Sequence, residues 1–81
     1  MSARVVLPEH LLHLTGGQRV LDIAAENVRD LVLELEERHP GLRAALGRAA
    51  VAIDGQIFQD AFLEAIGPDS EVFFLPRIEG G

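Results

Sequence analysis

Apolar positions with a period of two recur in short stretches along the chain, and one longer stretch carries a helical period. Arg4-Val5-Val6-Leu7 is β-branched and stopped by Pro8, which predicts a first strand. Glu9 to Thr15 reads as a connection whose Leu11, Leu12 and Leu14 pack against the body, and Gly16-Gly17 is a turn signal. Arg19 to Ile23 places Leu21 and Ile23 on one face of a second strand. From Asn27 the period changes. Val28, Leu31, Val32 and Leu35 form a single apolar stripe, so a helix is predicted from Asn27 to Arg38. Asn27 is a favoured N-cap, Asp30 suits the positive end of the helix dipole, and Glu34 and Arg38 are well placed for an i, i+4 pair. His39-Pro40-Gly41 ends the helix, because the residue before a proline avoids the helical region. Leu42, Ala45 and Leu46 suit one further helical turn.

Val51-Ala52-Ile53, the turn Asp54-Gly55 and Gln56-Ile57-Phe58 predict a hairpin. Asp60 to Ile66 fits either a short helix or extended chain. Pro68-Asp69-Ser70 predicts a turn, and Glu71-Val72-Phe73-Phe74-Leu75 a last strand. The expected order is strand, strand, helix, strand, short strand, strand: an α+β domain whose one main helix packs on one face of a mixed sheet of four to five strands. In the last strand Val72 and Phe74 point one way, Phe73 and Leu75 the other. If the first pair lies under the helix, Phe73 and Leu75, joined by Ile57, lie on the uncovered face as a candidate docking patch. The alternative is that the Glu9–Thr15 segment or a second copy covers that patch. Phe58 fits either side.

Composition narrows the functional classes. At 81 residues and 48% apolar content the chain makes one small domain with a real core. Thirteen acids against seven bases give a net charge of −6, which disfavours nucleic acid as a partner. All bases are Arg, so no lysine nucleophile or P-loop lysine exists, and the absence of Cys excludes a thiolate metal site and a cysteine nucleophile. No apolar run reaches the ~20 residues of a membrane span, and the start does not resemble a secretory signal, so a cytoplasmic protein without membrane contact is expected. Glu9, His10 and His13 have metal-like spacing but lack a fourth ligand, and no metal is assigned to them. Asp69 and Glu71 read as a solvated turn. Glu34, Glu36 and Glu37 read as a solvated face that could also steer the domain toward a basic partner.

The sharpest feature is the C-terminus, Arg77-Ile78-Glu79-Gly80-Gly81. Two terminal glycines can reflect nothing more than a loose end. Functionally, glycine lacks Cβ, so such a tail can thread a narrow channel and present the Gly81 α-carboxylate to a partner. Fully extended, Ile78 to Gly81 spans about 13–14 Å, enough to enter another protein's active site. The expected division is a domain over 1–76 and a flexible diglycine tail over 77–81.

Taken together, Asn27 to Arg38, His39-Pro40-Gly41-Leu42-Arg43, Val51-Ala52-Ile53-Asp54-Gly55, Val72-Phe73-Phe74-Leu75-Pro76 and Gly80-Gly81 resemble the MoaD/ThiS family of ubiquitin-like sulfur carriers. The Phe-Leu-Pro run before the diglycine resembles the small subunit of molybdopterin synthase more than the thiamine carrier. Gly67-Pro68-Asp69-Ser70-Glu71 departs from the family's usual Asp-Gly-Asp-Glu turn, and Arg77 stands where an apolar residue or proline is common. The resemblance implies a β-grasp fold with the first and last strands parallel at the sheet centre.

It also implies a chemistry. A carboxylate is a poor electrophile, so an E1-like adenylyltransferase of the MoeB/ThiF type would couple Gly81 to AMP from ATP. A sulfurtransferase persulfide would then convert it to a thiocarboxylate. That group would donate sulfur to the large subunit of molybdopterin synthase or another sulfur-accepting enzyme. The carrier itself would not be an enzyme and would bind no cofactor stably; ATP belongs to its activator. Gly80 would thread the channel, and Ile57, Phe73, Leu75, Pro76, Arg77, Ile78 and Glu79 would meet partners. Arg77 and Glu79 either help choose the partner or are solvated charges on the tail. The alternatives are a carrier for cysteine, thiamine or thionucleoside synthesis, a ubiquitin-like protein modifier, or an interaction module with an inert tail.

Overall fold

Residues 2–76 are described by the computed structural model. Five strands, β1 (Ala3–Val6), β2 (Val20–Ile23), β3 (Ala50–Ile53), β4 (Gln56–Phe58) and β5 (Glu71–Leu75), form one sheet in the order β2-β1-β5-β3-β4. β1 and β5 pair in parallel and every other neighbour is antiparallel. Parallel partners cannot be joined by a tight turn. Here the rest of the fold makes that crossover: α1 (Val28–Arg38) and α2 (Leu42–Leu46) lie between β2 and β3. This is the β-grasp arrangement.

The helical stripe Val28, Leu31, Val32 and Leu35 is buried with the alternate strand residues Val5, Leu21, Ile23, Val51, Ile53, Val72 and Phe74 in one core. Period 3.6 meets period 2 along this seam, which is why one stripe and one sheet face suffice. Phe58, directly opposite Val51, packs partly against the same core. Glu9–Leu14 is a 3₁₀ helix rather than an open connection; its Leu11 is buried in the core and Leu12 and Leu14 pack against it. An added Cβ at Gly41 would lie 3.4 Å from the Leu14 side chain, which locates this segment beside the α1–α2 junction.

The start of α1 is closed by a side chain and by carbonyls, and at its end the His39 N–H donates to the Leu35 carbonyl. Asn27 Oδ1 accepts from the Asp30 N–H at 2.8 Å. The segment from Asp60 to Ile66 is neither helix nor strand; it is a strap. The Phe62 and Glu64 carbonyls accept from the N–H groups of Arg29 and Val28 at 2.9 and 3.0 Å, while the Ile66 N–H donates to the Glu26 carbonyl at 3.0 Å. Otherwise orphaned donors of the first helical turn are thereby satisfied. Glu36, read from sequence as one of three solvated acids, accepts from the N–H groups of Gly41 and Arg43 beyond the end of α1, at the start of α2. Those bonds, Arg43 first and Gly41 next, hold its carboxyl below the usual value.

Asp54 does similar work at the hairpin. Its φ of 49° is left-handed, as the Asp-Gly turn requires. Its carboxylate accepts from the Glu71 N–H at 2.9 Å and the Ser70 hydroxyl at 2.8 Å, and these bonds, in that order, lower its pKa. The buried Ser70 hydroxyl in turn accepts from the Gly67 N–H at 2.8 Å. The β3–β4 turn is thus bonded to the start of β5, and the predicted Pro68-Asp69-Ser70 turn is fastened rather than merely solvated.

Candidate functional site

The face of the sheet away from α1 carries a pattern that register makes visible. Directly opposed residues share a face. Reading across all five strands, Val20 opposes Val6, Val6 opposes Phe73, Phe73 opposes Ala52, and Ala52 opposes Ile57. The result is an unbroken apolar row from one sheet edge to the other. Ile57 is 62% exposed, Val20 42% and Phe73 38%; Val6 and Ala52 are half-buried between them. Such a row leaves its apolar area to water in the free protein, which makes it a candidate docking surface.

The rows on either side differ. Toward the start of β5, Asp22, Arg4 and Glu71 stand in register, and Arg4 Nη1 lies 4.0 Å from Glu71 Oε2. Both groups are exposed, so the pair adds at most a fraction of a kcal/mol to stability, about 0–1 kcal/mol for pairs of this kind. Toward the end of β5, half-buried Leu75 opposes Ala50, and exposed Pro76 follows. The open face therefore grades from charged to apolar in the direction in which β5 leads to the C-terminus.

Of the sequence-predicted site residues, the structure brings Ile57 and Phe73 together through Ala52 and places Leu75 and Pro76 on the same run of chain. The Glu9–Thr15 segment does not cover the patch: Leu11 is in the core and Phe73 stays exposed. Arg77, Ile78, Glu79, Gly80 and Gly81 lie outside the described residues. Val6, Ala52 and Val20 were not identified from sequence. Alternation marks Val6 as opposite in facing to Val5, but only register aligns it with Phe73.

Among the described residues, no group of three or more His, Cys, Asp or Glu is placed to hold a metal ion, and Glu9 lies 4.0 Å from Arg19. Among the same residues no helix is long and apolar enough to cross a membrane.

No protein-family model and no curated protein matches the chain. Solved structures do. The chain is similar to one in the Amycolatopsis orientalis BexX/CysO complex, with a TM-score of 0.86 at 21% identity, covering 99% of this chain and 100% of that one. Mycobacterium tuberculosis CysO, described as an antigen, gives 0.84 at 19% identity over 94% and 99% of the two chains. The small archaeal modifier protein 1 of Methanosarcina acetivorans gives 0.81 at 21% identity over 99% and 96%. At these identities the likeness establishes the β-grasp fold.

Proposed function

We propose that this protein is a ubiquitin-like sulfur carrier whose Gly81 carboxylate is adenylated by an E1-like enzyme and converted to a thiocarboxylate. The observation that carries the reading is the apolar row centred on Phe73, which sits on the strand that runs through Leu75 and Pro76 toward Gly80-Gly81. A partner seated on that row is within reach of the tail: from Phe73 to Gly81 is eight residues, at most about 26–29 Å of extended chain. The body then supplies address and orientation, and the terminus supplies the reacting atoms. Activation by ATP makes AMP the leaving group. A persulfide on the sulfurtransferase attacks the acyl-adenylate and expels AMP, and a thiol then cleaves the S–S bond of the resulting acyl disulfide. The products are a disulfide and the Gly81 thiocarboxylate, a nucleophile whose charge is spread over a larger atom.

The residues before the tail bear on the receiving pathway. Val72-Phe73-Phe74-Leu75-Pro76 supports the large subunit of molybdopterin synthase as the acceptor. The likeness to CysO favours a second reading, a carrier for cysteine, thiamine or thionucleoside synthesis. The likeness to a small archaeal modifier protein keeps protein modification as a third outcome.

Intact-mass measurement after incubation with ATP, an E1-like adenylyltransferase and a sulfur donor tests the reading. Replacement of one oxygen by sulfur at Gly81 is expected, and deletion of Gly81 abolishes it without unfolding residues 2–76. Stable adducts on other proteins would establish a modifier instead. An unchanged mass with an adenylyltransferase shown to load its own carrier would sink both.

A further inference from the structure

A second unpartnered surface lies on the helix side of the molecule, away from the apolar row. Phe62 is 49% exposed and Leu63 82%, side by side on the strap that closes the first turn of α1. The strap is not a loose loop. The Phe62 and Glu64 carbonyls are bonded to α1 and the Glu64 N–H donates to the Ala61 carbonyl at 2.9 Å, so Leu63 is held outward between anchored neighbours. Beside it is a cavity of about 210 Å³ lined by Val28, Val32, Leu46, Val51, Phe62 and Phe74. A protruding Leu next to an apolar cavity presents a knob and a hole on one rigid frame.

Charge selects the occupant. Asp60 and Glu64 bracket the Phe62-Leu63 pair, and Asp60 stands at the cavity wall. Of the cations nearby, Arg29 Nε lies 3.5 Å from Asp30 Oδ1, and Arg43 stands at the cavity wall, opposite in charge to Asp60. A second copy of this chain, carrying −6 overall and the same acids at the patch, is repelled.

We infer that the Phe62–Leu63 strap and its cavity dock a segment of a partner protein that presents one large apolar side chain flanked by arginine or lysine. This surface is distinct from the row through Phe73, so it can be occupied while that row and the tail are engaged. The inference does not require Gly81 to carry sulfur.

The test uses the full-length chain, isotope-labelled, titrated with three synthetic peptides sharing a central Leu-Phe anchor: one flanked by arginines, one by glutamates and one by serines. The arginine-flanked peptide is expected to shift the amides of Val32, Leu46, Phe62 and Leu63 while leaving Phe73 and Ile57 unmoved, with affinity falling as salt rises. Leu63→Ser, at an exposed site, should weaken binding about tenfold or more and leave thermal unfolding unchanged. Charge reversal of both Asp60 and Glu64 to Lys should transfer preference to the glutamate-flanked peptide. Equal binding of all three peptides, shifts confined to the Phe73 row, or concentration-dependent dimerisation abolished by Leu63→Ser would each overturn the assignment. Gly81 loading in the Leu63→Ser variant separates the two readings: it should proceed at the wild-type rate.

Discussion

In β5 the two faces of the sheet carry the same residue types, yet only one of them is covered. Val72 and Phe74 of β5 are buried beneath α1, while Phe73, between them in sequence, is exposed with Ile57 and Val20. Hydrophobicity per residue cannot tell the faces apart. What separates them is whether the helical stripe lies above. The covered face converts apolar area into folding stability, roughly 25 cal/mol per Å² removed from water. In the proposed carrier, the open face holds comparable chemistry in reserve, so that its burial stabilises a complex instead of the fold.

Substitutions on adjacent residues of β5 sharpen this contrast most. Phe74→Ala should destabilise by about 3–5 kcal/mol, the usual cost of truncating a buried aromatic, measured by chemical denaturation. Phe73→Ala should leave stability within about 1 kcal/mol. At the centre of a docking row it should weaken binding to the activating enzyme by about 2 kcal/mol or more, roughly thirtyfold, in a calorimetric titration. Equal stability losses at the two positions would mean that the faces are not functionally distinct. Asn27→Ala, which removes the α1 cap without touching either face, should cost about 1 kcal/mol and leave partner affinity unchanged.

The smallest effect expected is on acid stability. Backbone and hydroxyl donors hold the Asp54 carboxyl below its ordinary value of 3.8, and backbone donors hold Glu36 below 4.5. A carboxyl whose folded pKa is depressed contributes stability that is present above its unfolded pKa and is lost as pH falls through the folded one. Stability should therefore decline as pH drops below about 4.5, the range those ordinary values set. Asp54→Asn should flatten part of the decline, read as a smaller change in denaturation midpoint between neutral and acid pH. No difference in slope between wild type and variant would remove Asp54 from the account.

Much of the architecture was legible because local signals agreed. The Val28–Leu35 stripe, the Asn27 cap, the Glu34–Arg38 pair and the Asp54-Gly55 turn all recur where their spacing puts them, with the pair at 3.6 Å. The Asp60–Ile66 strap was not legible. Its conformation is set by carbonyls reaching the first turn of α1, partners more than thirty residues earlier in the chain. Glu36 was misread for a similar reason, since nothing in a helical acid announces that the chain will turn back to offer it two N–H groups.

By itself the sequence determined the periods, the caps, the turns and the reactive candidate at the terminus, because each is a property of a few neighbouring residues. It also determined that Val72 and Phe74 point to one face of the last strand and Phe73 and Leu75 to the other. Only the tertiary structure decided that Val20, Val6, Phe73, Ala52 and Ile57 form one line, because register between strands far apart in sequence is a property of their pairing. The same holds for the Phe62–Leu63 knob beside its cavity: the hole is lined from α1, α2, β3, β5 and the strap, and it exists only where those elements meet.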